Sequence, residues 1–219
     1  MALQAKPNKG HYALAELAKK KPNFLSLTQN VDELSTRAGH PPDQLRCLHG
    51  SVIGLRCFNN CGYRDDNNMK DPLCPALAPA SENYPPDQTL PLLDPSTPIP
   101  KIRKEDLPQC PGCKQSLLRP NVVWFGENLD GEMLEEVDEW VWEDKVDMML
   151  VVGTSAAVQP AANYVRQAQQ AGAVVVVVNP DPDAKQGLGK EDFFFEGDAA
   201  ELLPIMFEEV IGKLDGDGV

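Results

Sequence analysis

Asp147-Met148-Met149-Leu150-Val151-Val152-Gly153 and Ala173-Val174-Val175-Val176-Val177-Val178-Asn179-Pro180 are two short apolar runs, each halted by turn residues. Runs of this length, rich in β-branched side chains and lacking polar alternation, read as strands covered on both faces. Val158 to Ala171, between them, has helical spacing. So does Gly131 to Trp142 upstream, where Met133, Leu134, Val137, Trp140 and Val141 recur on one side. Downstream, Phe193 to Phe195 reads as a third strand and Ala199 to Leu214 as a closing helix. Apolar strands alternating with helices predict an α/β fold with a doubly wound parallel sheet.

The pattern continues toward the N-terminus. Asn8 to Lys20 carries Tyr12, Leu14, Leu17 and Ala18 at helical spacing, and Phe24 to Thr28 is a short apolar run after Pro22. Gln29 to Ala38 reads as a polar loop entering a short helix, stopped by Gly39 and the Pro41-Pro42 pair. Val122 to Phe125 is strand-like. The composition changes between Asp71 and Pro108: ten of the 20 prolines fall at positions 72 to 108, without a period of 2 or 3.6. Such a stretch is an irregular excursion, not a core element.

The whole chain, 219 residues, is long enough for one large domain. Its net charge of −13 argues against a general nucleic-acid partner, which needs clustered cations, but is no obstacle to a cationic peptide. No apolar run reaches the length of a membrane span. Met1 to Gly10 has no apolar signal core, and no arginine precedes Arg37, so a mitochondrial presequence is not recognisable. The expectation is an intracellular, reducing compartment, with mitochondrion, cytoplasm and nucleus unresolved. There, six cysteines read as metal ligands or free thiols.

Cys57 and Cys61 form a C-x3-C pair, and Cys110 and Cys113 a C-x2-C pair. Each pair presents two sulfurs from one turn, and two pairs complete a tetrahedral four-thiolate zinc site. The proline-rich stretch then becomes an insertion between the two halves of a metal module. Four thiolates leave no open coordination position, so such a site is structural. Two other readings stay open: four unrelated buried thiols, or a thioredoxin-type redox pair at Cys110-Pro111-Gly112-Cys113, which needs a strand before it and a helix after it. Cys47 and Cys74 lack short-spaced partners and read as ordinary thiols, with Cys74 near enough in sequence to substitute as a ligand.

Three polar clusters stand out: Thr28-Gln29-Asn30-Val31-Asp32, Leu48-His49-Gly50 and Gly153-Thr154-Ser155. The first and third follow strands, and in open α/β sheets ligands bind at the carboxyl ends of strands. His49 is one of three histidines, and an imidazole titrates near neutrality, where it acts as a general base. Taken singly, Gly153 is a strand-ending turn, Ser155 a helix cap and Asn179 a turn former before Pro180.

Taken together with Arg37-Ala38-Gly39, the cysteine pairs and Val123-Trp124-Phe125-Gly126-Glu127, these motifs occur in the order seen in sirtuins. From about residue 8 to 210 the chain resembles this family of NAD-dependent protein deacylases. Leu118 to Leu129 looks like the class III branch, which removes acidic acyl groups such as succinyl and malonyl. The resemblance implies NAD and zinc as cofactors and acyl-lysine proteins as substrates. It places Gln29, Asn30 and Asp32 around the nicotinamide ribose, His49 as general base, and Gly153, Thr154, Ser155 and Asn179 on the adenosine side. Val122, Val123, Trp124, Phe125, Gly126 and Glu127 resemble the segment that pairs with the substrate backbone. Nicotinamide leaves, the acyl group passes to ADP-ribose, and the lysine is freed.

The family opens with a strand and a Gly-Ala-Gly phosphate loop that have no counterpart before Gln29. Without that backbone cradle the expectation is weak NAD binding and a sheet with a gap or an unpaired edge. The expected organisation is a Rossmann-like domain at 1–50 and 126–219, incomplete at its N-terminus. A zinc module occupies 51–125, with its insertion at about 65–108. A monomer without membrane or direct nucleic-acid contacts is expected. Two alternatives to the deacylase are a catalytically inactive chain acting as an interaction module through the zinc lobe, and a thiol redox protein using Cys110 and Cys113.

Overall fold

Val174–Asn179 is the strand around which the larger part of the molecule is built. In this computed structural model, which describes residues 3–81, 95–96, 98, 101–143, 146–155 and 157–214, five of its six residues are buried. Successive side chains of a strand point to opposite faces, so an unbroken valine run demands cover on both. Val178 packs with Ala13 and Leu203, and Val175 and Val177 pack with Val151, Val165 and Phe194.

The elements in chain order are α1 (Lys9–Lys20), β1 (Ser26–Thr28), α2 (Leu34–Arg37), β2 (Leu45–Cys47), β3 (Gly50–Cys57), β4 (Arg64–Asp65), β5 (Leu118–Val122), α3 (Gly131–Glu143), β6 (Met148–Val152), α4 (Ala161–Gln170), β7 (Val174–Asn179), β8 (Phe193–Glu196) and α5 (Ala199–Ile211). Short 3-10 turns fill several connections, including Pro75–Ala80 within the proline-rich stretch. The rest of that stretch, 82–94 above all, lies outside the described residues. No described helix is long and apolar enough to cross a membrane.

The chain divides into two compact units. One comprises Lys6–Gln29, Leu34–His49 and Phe125–Val219; the other comprises Met1–Ala5, Asn30–Glu33 and Gly50–Trp124. In the first, β6, β7 and β8 form a parallel ladder in that order, and β1 and β2 form a second parallel ladder. The parallel strands thus form two ladders among the described residues. They nonetheless share a core, since Leu25 and Leu27 pack with Met149, Val137, Val141 and Tyr164. Helices α1 and α5 supply the core side chains of one face, α3 and α4 those of the other, which is the doubly wound arrangement.

The second unit is an antiparallel sheet of order β4-β3-β5. Pairing of β3 with β5 runs from Cys57↔Leu118 to Gly50↔Val122, with a register shift between Ser51 and Leu55. Gly50 has φ +76, and a Cβ there would run into the carbonyl oxygen of Asn121, so only glycine lets the strands close at this point. Strand β5 is correctly expected near this segment but displaced. It occupies Leu118–Val122, and of the segment Val122 to Glu127 only Val122 belongs to it. Its partner β3 begins at Gly50, so the ladder ends at Val122, and Gly126 turns away with φ +88.

Candidate functional site

In the first unit the candidate residues for cofactor and base stand just past, or at the end of, parallel strands. Gln29 follows β1, His49 comes two residues after β2, Gly153 follows β6, and Asn179 ends β7. Chain direction is shared within each ladder, so these ends lie where the strand carbonyls run out and side chains are free to face a ligand.

Hydrogen bonds join four of them. His49 Nδ1 donates to the Gln29 carbonyl oxygen, 2.9 Å away. A carbonyl only accepts, so in the neutral ring the proton sits on Nδ1 and Nε2 keeps its lone pair, the form required of a base. Gln29 Nε2 donates to Thr154 Oγ1 at 3.4 Å. Asn179, buried, donates from Nδ2 to the Thr154 carbonyl at 3.0 Å and accepts from the Asp181 N–H at 2.9 Å. Gly153 donates its N–H to Val178 at 3.0 Å and turns with φ +59. Among the described residues, apart from its chain neighbours, no heavy atom comes within 4 Å of the position a Cβ would occupy on Gly153, which leaves the backbone open to close approach, as a phosphate or ribose requires. Ser155 is exposed beyond it and takes no part in this network. Thus Gln29, His49, Thr154 and Asn179 are brought together, and Gly153 shapes the turn.

Asn30 and Asp32 belong to the second unit. Asn30 is exposed and Asp32 half-buried, flanking Val31, whose carbonyl accepts from the Val52 N–H at 2.8 Å. Trp124 is part of the same unit, whereas Phe125 is fully exposed and, with Gly126 and Glu127, belongs to the first.

Four of the five cysteines of the second unit gather into one cluster. The sulfurs of Cys57, Cys61, Cys110 and Cys113 all lie within 4.8 Å of one another. Cys57 and Cys113 are 3.8 Å apart, and Cys61 and Cys110 3.5 Å. A disulfide needs about 2.05 Å. A tetrahedral zinc ion with bonds of about 2.3 Å sets sulfur edges of about 3.8 Å, which these distances fit. The turn is built for it: a Cβ on Gly112 would meet Tyr63 at 3.1 Å and the sulfurs of Cys61 and Cys110 at 3.4 and 3.6 Å.

The Cys57 thiol is drawn down to about 6, first by the Cys61 backbone N–H, with Asn59 and the Cys61 and Cys110 thiols assisting against burial. For Cys61 the Tyr63 N–H pulls down, but the neighbouring thiols and burial together push it up to about 11. One sulfur of the group ionises readily and the next resists, as expected of thiols sharing a site that a dication would ionise throughout.

Cys110-Pro111-Gly112-Cys113 lies in a turn, with only the Gln109↔Leu117 bridge around it and no helix following. The context a thioredoxin pair needs is therefore absent. Cys74 stays out of the cluster, its thiol donating to the Asp106 carbonyl at 3.3 Å.

Two residues of consequence were not legible in the motifs. Asp192 accepts from the Gly189 and Val175 N–H groups at 2.7 and 2.8 Å and from Gln169 Nε2 at 3.1 Å, tying β7 to the loop before β8. Arg119 is buried in β5 beside Trp124. A lone aspartate before Phe193 carries no pattern. Arg119 carries none that is local: its burial between Trp124 and the Val122 carbonyl depends on the fold.

The Sir2 family profile matches residues 1–160. An NAD-dependent protein deacylase of Candida albicans is 41% identical over 97% of this chain and 76% of its own length. The NAD-dependent protein deacylase sirtuin-5, mitochondrial, of Canis lupus familiaris is 39% identical over 92% of this chain and 61% of its own. Among solved structures, a Sir2 homologue bound to NAD superposes with a TM-score of 0.68 at 32% identity, covering 95% of this chain and 66% of that one. A Sir2 complex with a p53 peptide and NAD+ gives 0.67 at 29% identity, covering 95% and 72%.

Proposed function

Because the chain belongs to the Sir2 family, we propose that it is an NAD-dependent protein-lysine deacylase, a transferase that moves the acyl group of an acyl-lysine onto ADP-ribose and releases nicotinamide. The observation that carries this reading is the hydrogen-bonded chain His49–Gln29–Thr154–Asn179 along the carboxyl ends of the parallel strands. NAD supplies an electrophilic ribose carbon with a good leaving group. The chain's own residues do the rest. His49, its Nδ1 proton held by the Gln29 carbonyl, offers Nε2 to take a proton from a ribose hydroxyl. Gln29, Asn30 and Asp32 orient the nicotinamide ribose. Gly153, Thr154 and Ser155 meet the adenosine-side ribose and phosphates, and Asn179 holds that turn while reaching the adenosine ribose. Val122 to Glu127 receives the substrate backbone. The four cysteines hold zinc as a structural ion and take no part in the chemistry.

The resemblance of Leu118 to Leu129 to the class III branch supports acidic acyl groups, succinyl or malonyl, as the preferred cargo. The test is nicotinamide release from NAD with acetyl-, succinyl- and malonyl-lysine peptides. Release is expected to require peptide, and His49→Ala should abolish it while leaving one zinc per chain. A zinc-loaded wild-type chain that releases no nicotinamide would overturn the proposal in favour of an interaction module, and turnover retained in His49→Ala would overturn the assignment of the base.

A further inference from the structure

Arg119 is the second residue of β5, and only 7% of it is exposed. A guanidinium is costly to bury unless its surroundings stabilise the charge. Its register neighbour across the sheet is Arg56, and beyond Arg56 stands Arg64, so three cations share one row on one face of β4-β3-β5. Like charges placed directly opposite one another oppose strand pairing.

Two aromatic rings cover the buried member of that row. The guanidinium carbon lies 3.4 Å from the centre of the Trp124 ring and 5.8 Å from that of Phe58. The rings themselves meet edge-on, 6.1 Å apart at 63°. A cation on the electron-rich face of an indole is well placed when desolvated. Nη2 also donates to the Val122 carbonyl at 2.7 Å. One side chain therefore grips the last carbonyl of β5, the indole two residues further on, and, through Phe58, the residue that follows Cys57. The contact with Val122 falls where the ladder ends and the backbone has no further strand to pair with.

We propose that Arg119 is a positioning residue for the substrate peptide: it holds Val122 to Trp124 in one fixed extended shape, so that the acyl-lysine backbone docks on a preformed edge. The inference rests on the deacylase reading, in which this segment receives the peptide. Trp124 is 45% exposed, so without its cation the indole gains freedom that the peptide must remove on binding. The cost falls on peptide affinity. The proton transfer at His49 and the NAD-facing residues of the other unit are not involved.

The experiment uses the full chain with Trp140→Phe and Trp142→Phe, leaving Trp124 as the sole tryptophan, and compares Arg119→Lys and Arg119→Met with that parent. Lysine keeps the charge and a donor but loses the planar stack, and it carries the test if the methionine variant does not fold. Steady-state kinetics should show the peptide KM raised about tenfold, with kcat changed less than twofold and the NAD KM unchanged. Trp124 emission should shift to the red and its anisotropy fall. With Trp124→Leu already in place, Arg119→Lys should add less than a twofold change in peptide KM. An unchanged peptide KM in a folded, zinc-loaded Arg119 variant would overturn the proposal, as would peptide KM, NAD KM and kcat worsening in step. An inactive parent chain sinks the deacylase reading and this inference with it; an active parent with unmoved variants sinks the inference alone.

Discussion

Replacing Gly50 by alanine tests how the strand next to His49 is closed. Two costs combine at this position. Its φ of +76 is disfavoured for any residue with a Cβ, by about 1–2 kcal/mol. The added methyl also runs into the Asn121 carbonyl, so the Gly50↔Val122 end of the β3–β5 ladder must open. Opening that end forfeits backbone pairing, at about 1 kcal/mol for each hydrogen bond lost. A gain of about 0.4–1 kcal/mol from a stiffer unfolded chain offsets part of this. The expected loss is about 3 kcal/mol. Gly62, in the same unit, has φ +91 and nothing within 4 Å of a would-be Cβ, so Gly62→Ala carries the conformational cost alone, about 1 kcal/mol. In urea, with a slope of about 3 kcal/mol per molar, the midpoints should fall by about 1 M and about 0.3 M. Unfolding is followed by Trp124 emission in the Trp140→Phe/Trp142→Phe background. If Gly50→Ala unfolds no earlier than Gly62→Ala, the steric account of this strand end is wrong.

Three further outcomes are expected. Zinc analysis of the purified chain should give one ion held by four thiols, and Cys110→Ser should release it with loss of the β4-β3-β5 unit's hydrogen-exchange protection, whereas Cys74→Ser should leave both unchanged. Asp192 has its carboxyl held below the usual range, first by the Gly189 and then the Val175 N–H. Its contribution is present above the unfolded carboxyl value of about 3.9 and lost as pH falls through the folded one. Asp192→Asn should therefore flatten the acid limb of stability against pH, measured by thermal melting below pH 5. His40 is pushed down, first by burial, although the Pro41 carbonyl opposes the shift. Its ring bonds Ser26 Oγ at 2.9 Å. As the folded value lies below the unfolded value of about 6.5, stability should be full above pH 6.5 and decline as pH falls from there. That slope should be smaller in His40→Asn.

The valine strand, its neighbour β6 and the helices between were legible because their apolar period is local and unbroken. Strand β3 was not: Gly50 and Gly54 interrupt it, and Ser51 and Arg56 dilute its apolar character. Strand β2, three residues long, is below the length at which a period can be read. Val122 to Phe125 looked like strand throughout, yet a strand extends only as far as its partner does. The four cysteines were legible because tight turns impose their spacing on the sequence itself. Gln29 and Thr154 are 125 positions apart, and no local pattern joins them; only the order of several motifs pointed to both. Arg119 needed its aromatic neighbours in place before its burial made sense.

From Lys6 onward the chain passes from one unit to the other at four joints: Gln29/Asn30, Glu33/Leu34, His49/Gly50 and Trp124/Phe125. Three of these joints fall on residues assigned to the chemistry. Evolution is therefore not equally free along the backbone. Lengthening or shortening the proline-rich stretch touches none of the joints, and because the entropy of a loop grows only logarithmically with its length, such changes cost little. An insertion at Gln29/Asn30 or Trp124/Phe125 would separate two neighbouring working residues at once, and one at His49/Gly50 would displace the base. Variation in this lineage should accumulate between Asp71 and Pro108 and be scarce at the joints, so that the lobe diversifies while the reaction is inherited intact.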